Sequence, residues 1–146
     1  MYDISELTVL VVDGNQDSLH EMCDIVELIG LKRILCAPDA ESALAWLVEA
    51  DGRNIDLILV NHELPHMDGM LFIGKARSLC PTKQIILYSN SKKPTAYMMA
   101  LNIGATDFID RDKNFRANVL NKLPFWIEIT QRQASIEGAF HDKRKG

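Results

Sequence analysis

The sequence predicts an α/β fold, a doubly wound parallel sheet with helices on both faces. Three observations carry this. Apolar, β-rich runs recur as TVLVV (Thr8–Val12), DLILV (Asp56–Val60) and QIILY (Gln84–Tyr88), and uninterrupted runs of that length read as strands buried on both faces. Between them lie segments whose apolar residues step by three and four, the period of a helix with one buried stripe. The connections are short, and strict alternation of strand and helix calls for right-handed crossovers that lay helices over each face.

The first strand ends at Asp13-Gly14. Leu19, Met22, Cys23, Val26 and Ile29 then form a helical stripe, with Asp17 or Ser18 as candidate caps and Gly30 as its stop. Ile34–Ala37 reads as a second short strand. Asp39 caps a helix whose apolar face is Ala40, Ala43, Leu44, Leu47 and Val48, and a polar stretch, Glu49–Asn54, leads into the third strand. Met70–Leu79 is helical, Cys80-Pro81-Thr82 breaks it, and the fourth strand follows. Lys92-Lys93-Pro94 reads as a polar turn, Thr95–Ile103 as a helix stopped by Gly104, and Asp107–Ile109 as a fifth strand.

Val119, Leu120, Leu123, Ile127 and Thr130 also have helical spacing, but Pro124 lies among them. A proline inside a helix costs about 3 kcal/mol. The expectation is therefore a short turn over Phe115–Leu123 and a C-terminal helix over about 124–139, with 140–146 as a disordered tail. That makes one domain over 1–139, with its core over about 7–115.

Composition narrows the function. The 146 residues are 47% hydrophobic and 25% charged, the proportions of one soluble globular domain. No apolar run approaches the ~18–20 residues that cross a bilayer, and MYDISELT has no basic leader segment. Sixteen Lys and Arg against 20 Asp and Glu leave a net charge of −4, which disfavours DNA and anionic membranes as partners and favours another protein. Cys23, Cys36 and Cys80 lack CxxC spacing and read as buried thiols of a reducing, cytoplasmic compartment.

In an open α/β sheet, ligands sit beyond the carboxyl ends of the strands. The residues there are Asp13 and Gly14, Asn61, Ser89 and Arg111. The segments around them are LVVDG (Leu10–Gly14), DLILVNHELPHMDG (Asp56–Gly69), ILYSNS (Ile86–Ser91) and GATDFIDRD (Gly104–Asp112). In that order and spacing the chain resembles a response-regulator receiver domain from about Leu7 to Phe115, most specifically in the loop containing Leu64-Pro65 and Met67-Asp68-Gly69. The resemblance implies a flavodoxin-like (βα)5 sheet in the order 2-1-3-4-5. It also implies two-component signalling: a histidine kinase passes phosphate to an aspartate beside a magnesium ion.

That chemistry needs an ionised carboxylate as nucleophile, carboxylate oxygens for the hard cation, and a cation and a hydroxyl for the phosphoryl oxygens. The residues depart from it. Asn61 stands at the position matching the acceptor aspartate, and a neutral carboxamide is no useful nucleophile. Asp13-Gly14 replaces the usual pair of acids, and Arg111 replaces the usual lysine without its compact ammonium geometry. Ser89 keeps the hydroxyl. The expectation is a pseudo-receiver: a degenerate phosphorylation site of Asn61, Asp13, Gly14, Ser89 and Arg111, no catalytic residue, and no tight magnesium binding.

Each residue also has a plainer reading. Asn61 can bond neighbouring backbone, or hold the loop in a switched-on-like arrangement. Asp13 can stand as a solvated carboxylate, pair with Arg111, or with Glu63 form a weak metal site. Ser89 can serve as a loop hydrogen-bonder in place of a phosphate sensor, and His62 and His66 read as solvated.

Signalling through a surface remains. By resemblance Phe108 sits at the aromatic position that, with Ser89, couples the site to the face of the fourth helix, fifth strand and fifth helix. Tyr97, Met99, Trp126 and Ile129 are the candidate interface residues there, with Met98 and Leu101 as core. The extension EITQRQASIEGAF is a candidate dimerisation helix or connector to an output domain. The expected function is a non-enzymatic module for protein interaction or homodimerisation. The alternative is a phosphorylatable regulator using Glu63 or Asp13; a nucleotide-binding flavodoxin-like enzyme is weaker still, because no Gly-rich phosphate loop follows the first strand of this sequence.

Overall fold

Five strands carry the apolar runs: β1 (Thr8–Val12), β2 (Arg33–Ala37), β3 (Leu57–Asn61), β4 (Gln84–Ser89) and β5 (Asp107–Asp110). Five helices alternate with them: α1 (Gln16–Ile29), α2 (Ala40–Glu49), α3 (Gly69–Leu79), α4 (Pro94–Ile103) and α5 (Phe115–Lys145). The computed structural model describes residues 3–49, 54–90 and 93–145, with side chains as far as Glu137. All strand pairings are parallel and the order is β2-β1-β3-β4-β5. The expected sheet is therefore the one that forms.

The period-2 alternation of a strand splits the core into two layers. Leu10, Val12, Ile58, Val60, Ile85 and Leu87 face α2, α3 and α4. Val9, Val11, Leu57, Leu59, Ile86 and Tyr88 face α1 and α5. Among the described residues, no helix is long and apolar enough to cross a membrane.

Several local expectations need correction. The cap of α1 is Asn15, not Asp17 or Ser18: its backbone is extended and its side chain accepts from the Ser18 N–H at 2.9 Å. Val48 is exposed, so α2 buries Ala40, Ala43 and Leu47. Met98 and Leu101 are also exposed; α4 meets the sheet through Ala96 and Ala100, and such small residues allow a close approach. Of the Lys92-Lys93-Pro94 step, Lys92 lies outside the described residues, while Lys93 caps α4 and Pro94 opens it.

The C-terminal segment differs most. It is one helix from Phe115 to Lys145, not a turn followed by a helix, and it continues past the boundary expected at 139. Val119, Leu123, Ile127, Thr130 and Ala134 form an unbroken buried stripe, whereas Pro124 is exposed. The proline ring therefore lies away from the core. Packing of the stripe outweighs a local propensity cost, as tertiary burial commonly does.

Candidate functional site

The carboxyl ends of β1, β3 and β4 bring Asp13, Asn61, Tyr88 and Ser89 together. The register aligns Val12 with Val60 and Asn61 with Tyr88, so these residues share one rim of the sheet. Beside them opens a polar cleft of about 450 Å³, lined among others by Asn15, Asp17, Glu21, Asn61, Glu63 and Arg111.

Asp13 is neither solvated nor paired with Arg111. It is 1% exposed, and each carboxylate oxygen accepts two hydrogen bonds. Oδ1 accepts from the Asn15 backbone N–H at 3.0 Å and from Asn61 Nδ2 at 3.1 Å. Oδ2 accepts from Ser18 Oγ and from the Tyr88 hydroxyl, the latter at 2.6 Å. Burial, then the charge and hydrogen bond of Asp13, push the Tyr88 phenol well above its ordinary range.

Asn61 joins two of its possible roles. Its Oδ1 accepts from the Glu63 N–H at 3.1 Å, which shapes the loop after β3, while its Nδ2 donates to Asp13. Glu63 itself is exposed. Arg111 turns to Glu21 on α1 at 2.8 Å, and its guanidinium lies over the Phe115 ring, 4.5 Å from the centroid. This gives Arg111 a carboxylate and an aromatic face outside Asp13's reach, so the alternative of an Asp13–Arg111 pair does not form.

The β3–α3 loop closes over Gly14. A Cβ added there would stand 2.7 Å from Pro65 Cδ and 2.9 Å from the Pro38 carbonyl oxygen, closer than side-chain carbons approach their neighbours. Leu64 and Met67 anchor the same loop on the core below.

His62 is likewise not a solvated side chain. Its Nε2 lies 3.3 Å from Asp68 Oδ2 and its Nδ1 lies 3.0 Å from Ser89 Oγ. With the ring proton on Nε2 facing the carboxylate, Nδ1 accepts from the Ser89 hydroxyl. Asp68 also caps α3 through the Met70 N–H at 2.6 Å. The imidazole thus ties Ser89, which is buried, to the start of α3.

Sequence reasoning did not single out Tyr88 or Glu21, and it read Ser18 only as a candidate cap, His62 as solvated and Pro65 only as part of the loop motif. Only Tyr88 carried a signal: a polar tip within a buried strand needs a partner.

The resemblance implies a magnesium ion beside Asp13, and the residues present do not fit one. The cation needs free carboxylate oxygens. Both oxygens of Asp13 are held by two protein donors each, and Asn61 directs its amide hydrogens, not a lone pair, toward that carboxylate. Among the described residues, no three His, Cys, Asp or Glu side chains gather as a metal site.

On the α4–β5–α5 face, Phe108 is buried and meets the Tyr97 ring edge-on at 5.7 Å. Tyr97 is exposed there; Met98 and Met99 of α4 and Phe125 of α5 are exposed too, Met99 standing one turn from Ile103, which neighbours Gly74 of α3. Trp126 and Ile129 are half-buried, and the Trp126 indole N–H donates to Asp107 Oδ2 at 2.8 Å, so it serves first to dock α5 on β5.

Known proteins share this architecture. The family model of the response regulator receiver domain matches residues 9–123. The chain is 34% identical over 105 residues to a protein-glutamate methylesterase/protein-glutamine glutaminase of Anaeromyxobacter dehalogenans, covering 72% of this chain and 29% of that protein. It is 27% identical over 135 residues to a probable chemotaxis protein CheY of Rhizobium etli, covering 92% and 93% of the two chains. The crystal structure of the CheX–CheY–BeF3–Mg complex from Borrelia burgdorferi contains a chain with a TM-score of 0.73 and 26% identity, covering 80% of this chain and 86% of that one. The methylesterases are the longer proteins: this chain spans about 30% of the length of the first two matched.

Proposed function

The chain belongs to the response regulator receiver family, and from that premise we propose that it is an atypical receiver of two-component signalling that works by docking a protein and not by accepting phosphate on an aspartate. The observation that carries this reading is the hydrogen bond from Asn61 Nδ2 to Asp13 Oδ1 at 3.1 Å. At the position where the resemblance expects a nucleophilic carboxylate, the side chain presents an amide donor, and the neighbouring acid accepts it.

The rest of the rim supports the same reading. Asp13, Asn61, Ser18 and Tyr88 satisfy one another as a closed polar network, and the loop over Gly14 fills the space of a second acid. A network of this kind holds one arrangement of loop and strand without needing a ligand. The output is then the α4–β5–α5 face, where Tyr97 lies against Phe108 and near Lys122, with the exposed Met98 and Met99 of α4 and Phe125 of α5 adding adaptable and aromatic surface of the sort that interfaces use. Its occupant is a protein partner in the pathway or a second copy of this chain, in the cytoplasm.

Incubation with acetyl phosphate and magnesium, followed by intact-mass measurement, tests the proposal. The expected spectrum shows the unmodified mass only. A species heavier by one phosphoryl group, lost in Glu63→Gln, would establish the alternative acceptor and end this reading.

A further inference from the structure

Cys23 and Cys36 are separated by 13 positions, and no spacing rule joins them. The fold does. α1 lays Cys23 against β2, and the two Sγ atoms stand 3.6 Å apart, Cys36 exposed and Cys23 half-buried. β2 is an edge strand paired only with β1, so Cys36 stands on the rim of the sheet. Cys80, the third thiol, is buried beyond the end of α3 and packs in the opposite core layer. A disulfide is about 2.05 Å long, so the pair needs to close by roughly 1.5 Å, a movement within side-chain torsions.

We propose that Cys23 and Cys36 are a redox pair that a hydroperoxide converts to an intramolecular disulfide clamping α1 to β2. Exposure sets the order of events. The Cys36 thiolate attacks a peroxide oxygen; an S–O bond forms, the O–O bond breaks, and the departing oxygen takes a proton to leave as water or an alcohol. Cys36 is then a sulfenic acid. The Cys23 sulfur attacks the Cys36 sulfur, the S–O bond breaks, and the leaving hydroxide takes the Cys23 proton to give water. The two thiols lose two electrons in all, and one peroxide gains them.

The resting pair suits that order. Burial, followed by the hydrogen bond and charge of Cys36, pushes the Cys23 thiol up to about 12. Cys23 therefore waits protonated. The clamp would bear on the strand-end site, because α1 also delivers Ser18 to Asp13 and Glu21 to Arg111.

The full chain, treated with hydrogen peroxide and quenched, is analysed by intact mass and by peptide mapping without reductant. The expected product has lost two hydrogens, links the Cys23 and Cys36 peptides within one chain, and returns to the starting mass with dithiothreitol. Cys36→Ser abolishes it, and Cys23→Ser leaves Cys36 to gain oxygen atoms. Oxygen uptake at Cys36 of the unsubstituted protein without a linked peptide, or a link between two chains, overturns the proposal. The unsubstituted protein alone decides this, whatever the variants' stability.

Discussion

The Tyr88 hydroxyl donates to Asp13 Oδ2 at 2.6 Å, joining the end of β4 to the end of β1 across the intervening β3. Both side chains are buried, and the Tyr88 ring packs beside Phe115 with centroids 5.5 Å apart. One phenol therefore belongs to the apolar core by its ring and to the polar site by its oxygen.

Tyr88→Phe removes that donor and leaves a buried carboxylate oxygen short of a partner. A hydrogen bond to a charged group contributes about 1.5–3 kcal/mol, and a loss of that size is expected in urea unfolding at neutral pH. The pH dependence has a definite sign. The folded-state phenol is raised above its ordinary value of 10.0, so above that pH the unfolded chain releases a proton that the folded chain retains. Stability falls as pH rises from there through the folded-state value, and Tyr88→Phe should flatten that decline.

Asn61→Asp replaces the donor facing Asp13 Oδ1 with a second carboxylate at about the 3.1 Å now separating the partners. Repulsion between such groups is roughly 1–4 kcal/mol at effective dielectrics between water and a protein surface. The like charge raises the introduced group's folded-state pKa above its unfolded value. The stability gap to the unsubstituted protein should thus be small near pH 4 and widen toward pH 7. A constant gap across that range would show that packing, not charge, is responsible.

Gly14→Ala places a methyl group within 2.7 Å of Pro65 Cδ and 2.9 Å of the Pro38 carbonyl. Overpacking of this kind costs about 1–3 kcal/mol. Trimming the loop in the double variant Gly14→Ala/Pro65→Ala should recover part of it, since the proline ring is one of the two obstacles. Denaturation of the four proteins of this cycle measures the coupling; strictly additive losses would mean the loop does not close on Gly14 in solution.

Magnesium at low-millimolar concentration should leave the melting temperature unchanged, because Asp13's oxygens are already taken by protein donors. A ligand specific to the folded state raises that temperature. A dose-dependent rise would show that the hydrogen-bonded network opens for the ion.

Met99→Lys adds a charge to the exposed α4 surface without touching the core, as Met99 is more than half exposed. Light scattering should show concentration-dependent self-association of the unsubstituted protein and its loss in the variant, with the melting temperature kept. A monomer at every concentration would remove the second copy as occupant and leave a different protein.

The strand-end residues were legible because each follows an apolar run whose end the sequence marks. Asp13, Asn61, Ser89 and Arg111 all lie at the carboxyl rim as expected. Their partners were not legible. His62 reads as a loop residue until Asp68 and Ser89 are brought to either side of its ring. Cys23 and Cys36 read as unrelated thiols until α1 crosses β2. Pro124 reads as a helix boundary because its cost is local, while the buried stripe that outweighs it spans Val119 to Ala134.

Period and alternation sufficed to determine the five strands, the first four helices, a sheet with helices on both faces and the identity of the residues at its rim, since hydrophobic spacing is a property of the chain alone. Which of those residues bond to one another was decided by the tertiary structure. Parallel register and helix crossing set distances between groups up to 90 positions apart, such as Arg111 and Glu21. A hydrogen bond forms within about 3 Å or not at all.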